Sequence, residues 1–93
     1  MLIDIDSDIV KSAFGEVVTK YRLEAGFRQR AFSREVGISN SHMRAIESGS
    51  VSPTLVTLFK VANALNVQPS VLVQEAYEIA VAQTPAADVE HTS

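Results

Sequence analysis

Two short helical patterns separated only by Gly37-Ile38-Ser39 constrain this chain more than any other feature of its sequence. From Gln29 to Val36, Phe32 and Val36 stand four apart, enough for two turns, and Gly37 offers the left-handed stop that ends such a helix. Ser39 can then cap a helix that reaches Ser48, where Gly49 supplies the next stop. So short a connection forces the two helices to cross steeply, the geometry of a helix-turn-helix unit.

The rest of the chain also reads as helical. Ile9 to Ala25 spaces Val10, Phe14, Val18, Tyr21 and Ala25 three and four apart, with Ser7 or Asp8 as N-cap and Gly26 as stop. After Ser50-Val-Ser-Pro53, Thr54 can cap a fourth helix with Leu55, Leu58, Ala62 and Leu65 as its stripe, and Asn66 suits the left-handed end. Pro69 suits the first turn of a fifth helix, whose Leu72, Val73, Ala76, Tyr77, Ala80 and Val81 make an apolar face longer than a small bundle needs. The closing TPAADVEHTS has few large apolar residues and no periodicity, and is expected to be disordered. The expected organisation is an N-terminal arm over 1–8, an all-α five-helix domain with an extended last helix over 9–82, and a tail over 83–93.

Length and composition bound the partners. Ninety-three residues with 46% hydrophobic and 20% charged content describe one small globular core. A core of that size is marginal, and self-association is a common remedy. The absence of cysteine removes disulfides and thiolate metal sites, while leaving the redox compartment open. The acidic opening MLIDIDSD is no signal peptide and no apolar run is long enough to span a bilayer, so a cytoplasmic location is expected. Net charge is −3, which argues at first against nucleic acid. Its distribution argues the other way. Residues 20–60 carry seven cations against three anions, whereas 1–19 sum to −3 and 61–93 to −4.

On the third helix, Met43, Ile46 and Glu47 share one face at about 100° per residue. Ser41, Ala45 and Ser48 lie opposite, with Arg44 beside them and Asn40 and His42 at the flanks. That face is small and polar. Asn can pair with adenine, Arg with guanine, Ser with several bases, and an alanine methyl can meet a thymine methyl.

From Phe14 to about Val73 the sequence resembles the Xre or Cro-like, lambda-repressor-type helix-turn-helix family. The resemblance rests on Arg22, Gln29, Val36-Gly37-Ile38-Ser39, Ile46-Glu47-x-Gly49, Pro53 with Leu58, and Ala62-x-x-Leu65-x-Val67, in order and at matching spacing. It implies double-stranded DNA as partner and a regulator of transcription, most readily a repressor. It further implies base reading by Asn40, Ser41 and Ala45, with His42 and Arg44 as additional candidates. Phosphate contacts are implied for Gln29, with Arg28 beside it, and for Ser39; Ser48 at the far end of the helix is a further candidate. An ion pair between Arg22 and Glu47 is implied, tying helix one to helix three and leaving Arg22 within reach of a phosphate. Two departures stand out. Phe32-Ser33 replaces the usual Leu-Ala, so packing against the recognition helix is expected to differ. The loop Ser48-Gly-Ser-Val-Ser52 lacks the usual cations, which Arg28, Arg30 and Arg34 partly offset.

Competing chemistries find little footing. Asp4-Ile-Asp-Ser-Asp8 imitates the start of a calcium loop, but Ile9 stands at the required glycine and Gly15 at the closing glutamate. Ile46 occupies the position four after His42, against a metal site there. No nucleophile elbow or phosphate loop occurs, so neither enzyme nor cofactor is expected. Leu72, Ala76, Tyr77 and Ala80 are the expected homodimer interface. A dimer would set two recognition helices roughly 34 Å apart and imply a palindromic operator. Leu2, Ile3 and Ile5 can pack on their own domain or across a dimer. The competing function is that of an antitoxin or similar module whose fifth helix or tails neutralise a toxin or other partner protein.

Overall fold

Three helices begin on a side-chain cap and one on a proline, and the computed structural model, which describes residues 4–85, contains five helices in all. They are α1 Ser7–Glu24, α2 Gln29–Val36, α3 Asn40–Glu47, α4 Leu55–Leu65 and α5 Pro69–Gln83, with no strand among the described residues. Thr54 caps α4 through its hydroxyl, which accepts from the Thr57 amide at 3.1 Å. Asn66 closes α4 in the left-handed conformation at φ 59°. Pro69 opens α5.

The cap of α1 is Asp6, not Ser7 or Asp8. Its carboxylate accepts from the amides of Asp8 at 2.9 Å and Ile9 at 3.2 Å, which requires the extended backbone that Asp6 adopts at φ −111°, ψ 116°. Asp8 then falls in the first turn, where its charge favours the positive end of the helix dipole.

The core is built from one face of every helix. Val17 and Val18 of α1, Phe32 of α2, Met43 and Ile46 of α3, Val61 of α4 and Leu72 of α5 are its largest fully buried side chains. Burying a side chain of this kind is worth about 2 kcal/mol. The Phe32 ring meets Phe27 at 5.3 Å between centroids, and the neighbouring Ser33 is buried with its hydroxyl donating to the Arg30 carbonyl at 2.7 Å. The departure at Phe32-Ser33 is thus accommodated by an aromatic contact and a satisfied hydroxyl.

Two expectations about faces are corrected. On α4 the inward residues are Thr57, Val61 and Ala62, with Leu58 and Leu65 half-buried and Leu55 at 66% exposure. That helix is apolar nearly all round, so its periodicity did not select a face. On α5, Leu72, Ala76 and Ala80 are buried within the domain, in the core they share with α1, with Ala76 and Ala80 at the floor of an open groove, so that little of the three is left exposed for a partner. Tyr77 alone of the expected four remains exposed. α5 also continues through Gln83, one residue past the expected domain end, and the Thr84 hydroxyl donates to the Ala80 carbonyl. Leu2, Ile3 and the tail beyond Pro85 lie outside the described residues.

Candidate nucleic-acid interface

α3 exists as a helix because its ends are capped and one side is apolar. Gly37 takes φ 88° at the end of α2, a conformation in which a side chain would be strained, and this releases the chain into the turn. Ser39 follows in extended backbone and accepts from the His42 amide at 3.0 Å. Met43 and Ile46 then lie fully buried beneath the helix. Ser41, Arg44 and Ser48 are exposed on the other side, with Asn40, His42 and Ala45 half-buried at its margins.

A hydrogen-bonded network fixes the inner side of α3. Arg22 donates from Nε to Glu47 Oε2 at 2.7 Å, from Nη2 to Glu47 Oε1 at 3.0 Å and from Nη1 to the Phe27 carbonyl at 2.9 Å. Gln29 Nε2 also donates to Glu47 Oε1, at 3.1 Å. The side chains of Arg22 and Glu47 are only 11% and 6% exposed. Two parallel N–H···O bonds between planar groups define an angle as well as a distance, so α3 is held in orientation. The expected ion pair is present. Arg22, however, turns all three nitrogens inward instead of towards a phosphate, and the Gln29 amide is likewise engaged with Glu47.

Among the described residues, four arginines remain free of side-chain hydrogen bonds. Arg28, at the start of α2, and Arg30, Arg34 and Arg44 are all exposed. Lys20, counted with the basic centre, is instead used elsewhere. Its Nζ donates to Glu75 Oε1 of α5 at 2.6 Å, while the Tyr21 hydroxyl donates to Glu75 Oε2. Hydrogen bonds from Lys20 and Tyr21 hold the Glu75 carboxyl below its ordinary range, and the same carboxylate raises both the lysine and the tyrosine.

Three features of the site escaped the sequence reading. Gly15 of α1 packs against the end of α3, where an added Cβ would meet the Glu47 carbonyl oxygen at 2.5 Å and that of Ile46 at 2.7 Å. A glycine inside an amphipathic helix was the available signal. The Asn40 Oδ1 is buried without a hydrogen-bond partner, an arrangement visible only once the turn is built. Ser48, expected at phosphate, donates to the Ala45 carbonyl at 3.1 Å and shares a 2.7 Å hydrogen bond with Ser50, so the uncharged loop is ordered by its own hydroxyls. Among the described residues no cluster of metal-ligating side chains occurs, and no helix is long and apolar enough to cross a membrane.

Comparison with known proteins places these elements in context. The family model HTH_3, described as helix-turn-helix, matches residues 18–72. No curated protein sequence matches significantly. The structure is similar to that of the clp gene regulator ClgR from Corynebacterium glutamicum, with TM-score 0.75 and 20% identity over 89% of this chain and 86% of that one. It is similar to the restriction-modification controller protein C.AhdI from Aeromonas hydrophila, with TM-score 0.70 and 26% identity over 73% and 99% of the two chains. An HTH_3 family transcriptional regulator from Vibrio cholerae aligns with TM-score 0.69 and 28% identity over 74% of this chain, which spans 39% of that regulator.

Proposed function

The chain belongs to the HTH_3 helix-turn-helix family, and from that premise we propose that it is a sequence-specific transcriptional regulator that acts as a repressor by seating α3 in the major groove of DNA. It is a non-enzymatic DNA-binding protein. The observation that carries the finer reading is the division of α3: Met43, Ile46 and Glu47 are anchored inward while Ser41 and Arg44 stand free on the outside. Ser41, Arg44 and Ala45 read base edges, with His42 beside them and Asn40 contributing through its amide nitrogen, since its Oδ1 is buried. Arg28, Arg30 and Arg34 supply phosphate contacts, joined by the Ser39 hydroxyl and by the free side of the Gln29 amide.

The operator is palindromic and the protein dimeric. The exposed edge of α5, formed by Val73, Tyr77 and Val81, supplies the two-fold contact in place of the buried Leu72, Ala76 and Ala80. One observation favours a second reading. Val56 and Phe59 of α4 are 64% and 54% exposed and lie outside that edge, as befits a module that also binds a partner protein such as a toxin. The test is selection of bound sequences from random DNA at low salt. An enriched inverted repeat is expected; if no sequence is enriched, the reading fails.

A further inference from the structure

An apolar groove opens where the start of α1, the start of α4 and the middle of α5 meet, on residues that the DNA-reading face does not use. It has a volume of about 430 Å³, within the ordinary range for a small-molecule site. Val10 and Phe14 form one wall, Leu55 and Leu58 a second, Val73 and Tyr77 the third. Among the described residues, Lys11 is the one charged residue that lines it. Its side chain is 26% exposed, so the aliphatic stem lies along the groove and the ammonium stands at the margin. The ammonium has a loose partner, the Asp8 carboxylate at 3.5 Å, whose own side chain is 91% exposed. The remaining polar lining is uncharged. The Thr54 hydroxyl is engaged with the backbone and side chain of Thr57.

An apolar trough with one cation at its edge matches an apolar anion. We propose that this groove binds a small amphipathic carboxylate, with its hydrocarbon tail among Phe14, Leu58 and Tyr77 and its carboxylate on Lys11 Nζ. Asp8 competes with the ligand for the same ammonium. Because Val73 and Tyr77 belong both to the groove and to the α5 edge, an occupied groove opposes dimerisation and so weakens operator binding. This regulatory consequence rests on the dimeric reading above. Ligand binding itself does not.

The probe is decanoate, titrated below its aggregation concentration into the full chain and followed by methyl and amide NMR shifts, with decanol as the uncharged control. Shifts are expected at Val10, Leu58 and Val73. Lys11→Gln is expected to weaken decanoate at least about tenfold, one charge-assisted contact in the range of 1.4 kcal/mol per tenfold, without altering decanol. Asp8→Asn, which frees the ammonium, is expected to tighten decanoate. Absence of decanoate shifts, or equal affinity for wild type and Lys11→Gln, overturns the proposal. So do isotope-filtered contacts from a second copy, or from residues 1–3, that persist in the groove at saturating decanoate. Decanoate binding without loss of dimer mass removes only the regulatory consequence, and failure to enrich DNA leaves the binding result standing.

Discussion

Gly15 of α1 lies so close to Glu47 of α3 that a Cβ at residue 15 would stand 2.5 Å from the Glu47 carbonyl oxygen. The obstacle is backbone, and a backbone at a helix end cannot swing aside as a side chain can. Gly15→Ala gains about 0.5–1 kcal/mol from helix propensity but incurs overpacking of about 1–3 kcal/mol. The expected outcome is a net loss of about 1–2 kcal/mol in urea denaturation. A stabilised Gly15→Ala protein would show that α1 and α3 are not in contact there.

The Arg22–Glu47 pair is nearly removed from solvent. Taking away one member leaves the other charge buried, at a cost of about 3–5 kcal/mol. Glu47→Ala also strands the Gln29 amide, and is expected to unfold the domain near room temperature or leave it barely folded. The double variant Arg22→Met, Glu47→Leu should recover much of the stability, while binding DNA with α3 less firmly oriented. Thermal melts of the two variants check the pattern.

Glu75 makes stability depend on pH at both ends. Its carboxyl is depressed in the folded chain by hydrogen bonds from Lys20 and Tyr21, so its contribution is complete above the unfolded glutamate range of about 4.3 and disappears as pH falls through the lower folded value. Lys20 and Tyr21 are raised by the same carboxylate. Their contribution is present below the unfolded range of about 10 and is lost as pH climbs through the higher folded values. Glu75→Gln is therefore expected to flatten the acid limb of a stability–pH curve; an unaltered limb would assign acid loss to other carboxylates.

Base and phosphate contacts should separate in binding data. Asn40→Ala or Arg44→Ala is expected to relax preference at particular base pairs, at about 1–3 kcal/mol for a specific contact. Arg34→Gln should instead weaken all sequences alike and lower the salt slope by about 1. Because the Gln29 amide also holds Glu47, Gln29→Ala should weaken all sequences and lower the melting temperature together.

The two kinds of α5 residue should respond differently to the same substitution. Tyr77→Asp places a charge on the exposed edge and is expected to yield folded monomers by sedimentation and circular dichroism. Leu72→Asp buries that charge in the core and should prevent folding. A Tyr77→Asp protein that keeps its dimer mass would move the two-fold contact to another surface.

Helix positions were legible because their signals are local. Gly37, Ser39, Thr54 and Asn66 each act within a few residues of their place in the chain. Asp6 was missed because Asp6-Ser7-Asp8 offers three consecutive groups able to cap. The site's inner anchor, Arg22 with Glu47, was legible only through its family pattern, since the two are 25 residues apart. The grip of Glu75 on Lys20 and Tyr21 spans 55 and 54 residues respectively and left no trace in periodicity. The α5 stripe was read as apolar, correctly, but an apolar stripe does not say which surface covers it; Leu72, Ala76 and Ala80 go into the domain's own core.

α3 keeps its structural duties on Met43, Ile46 and Glu47 and leaves Ser41 and Arg44 without side-chain hydrogen bonds to other described residues to lose. Mutational drift at those outer positions is thus uncoupled from folding, and a duplicated copy of the chain could acquire a new address on the genome while its scaffold stays fixed. The same separation makes α3 a suitable place to begin a designed library, with diversity confined to the outer positions and folding yield as the control.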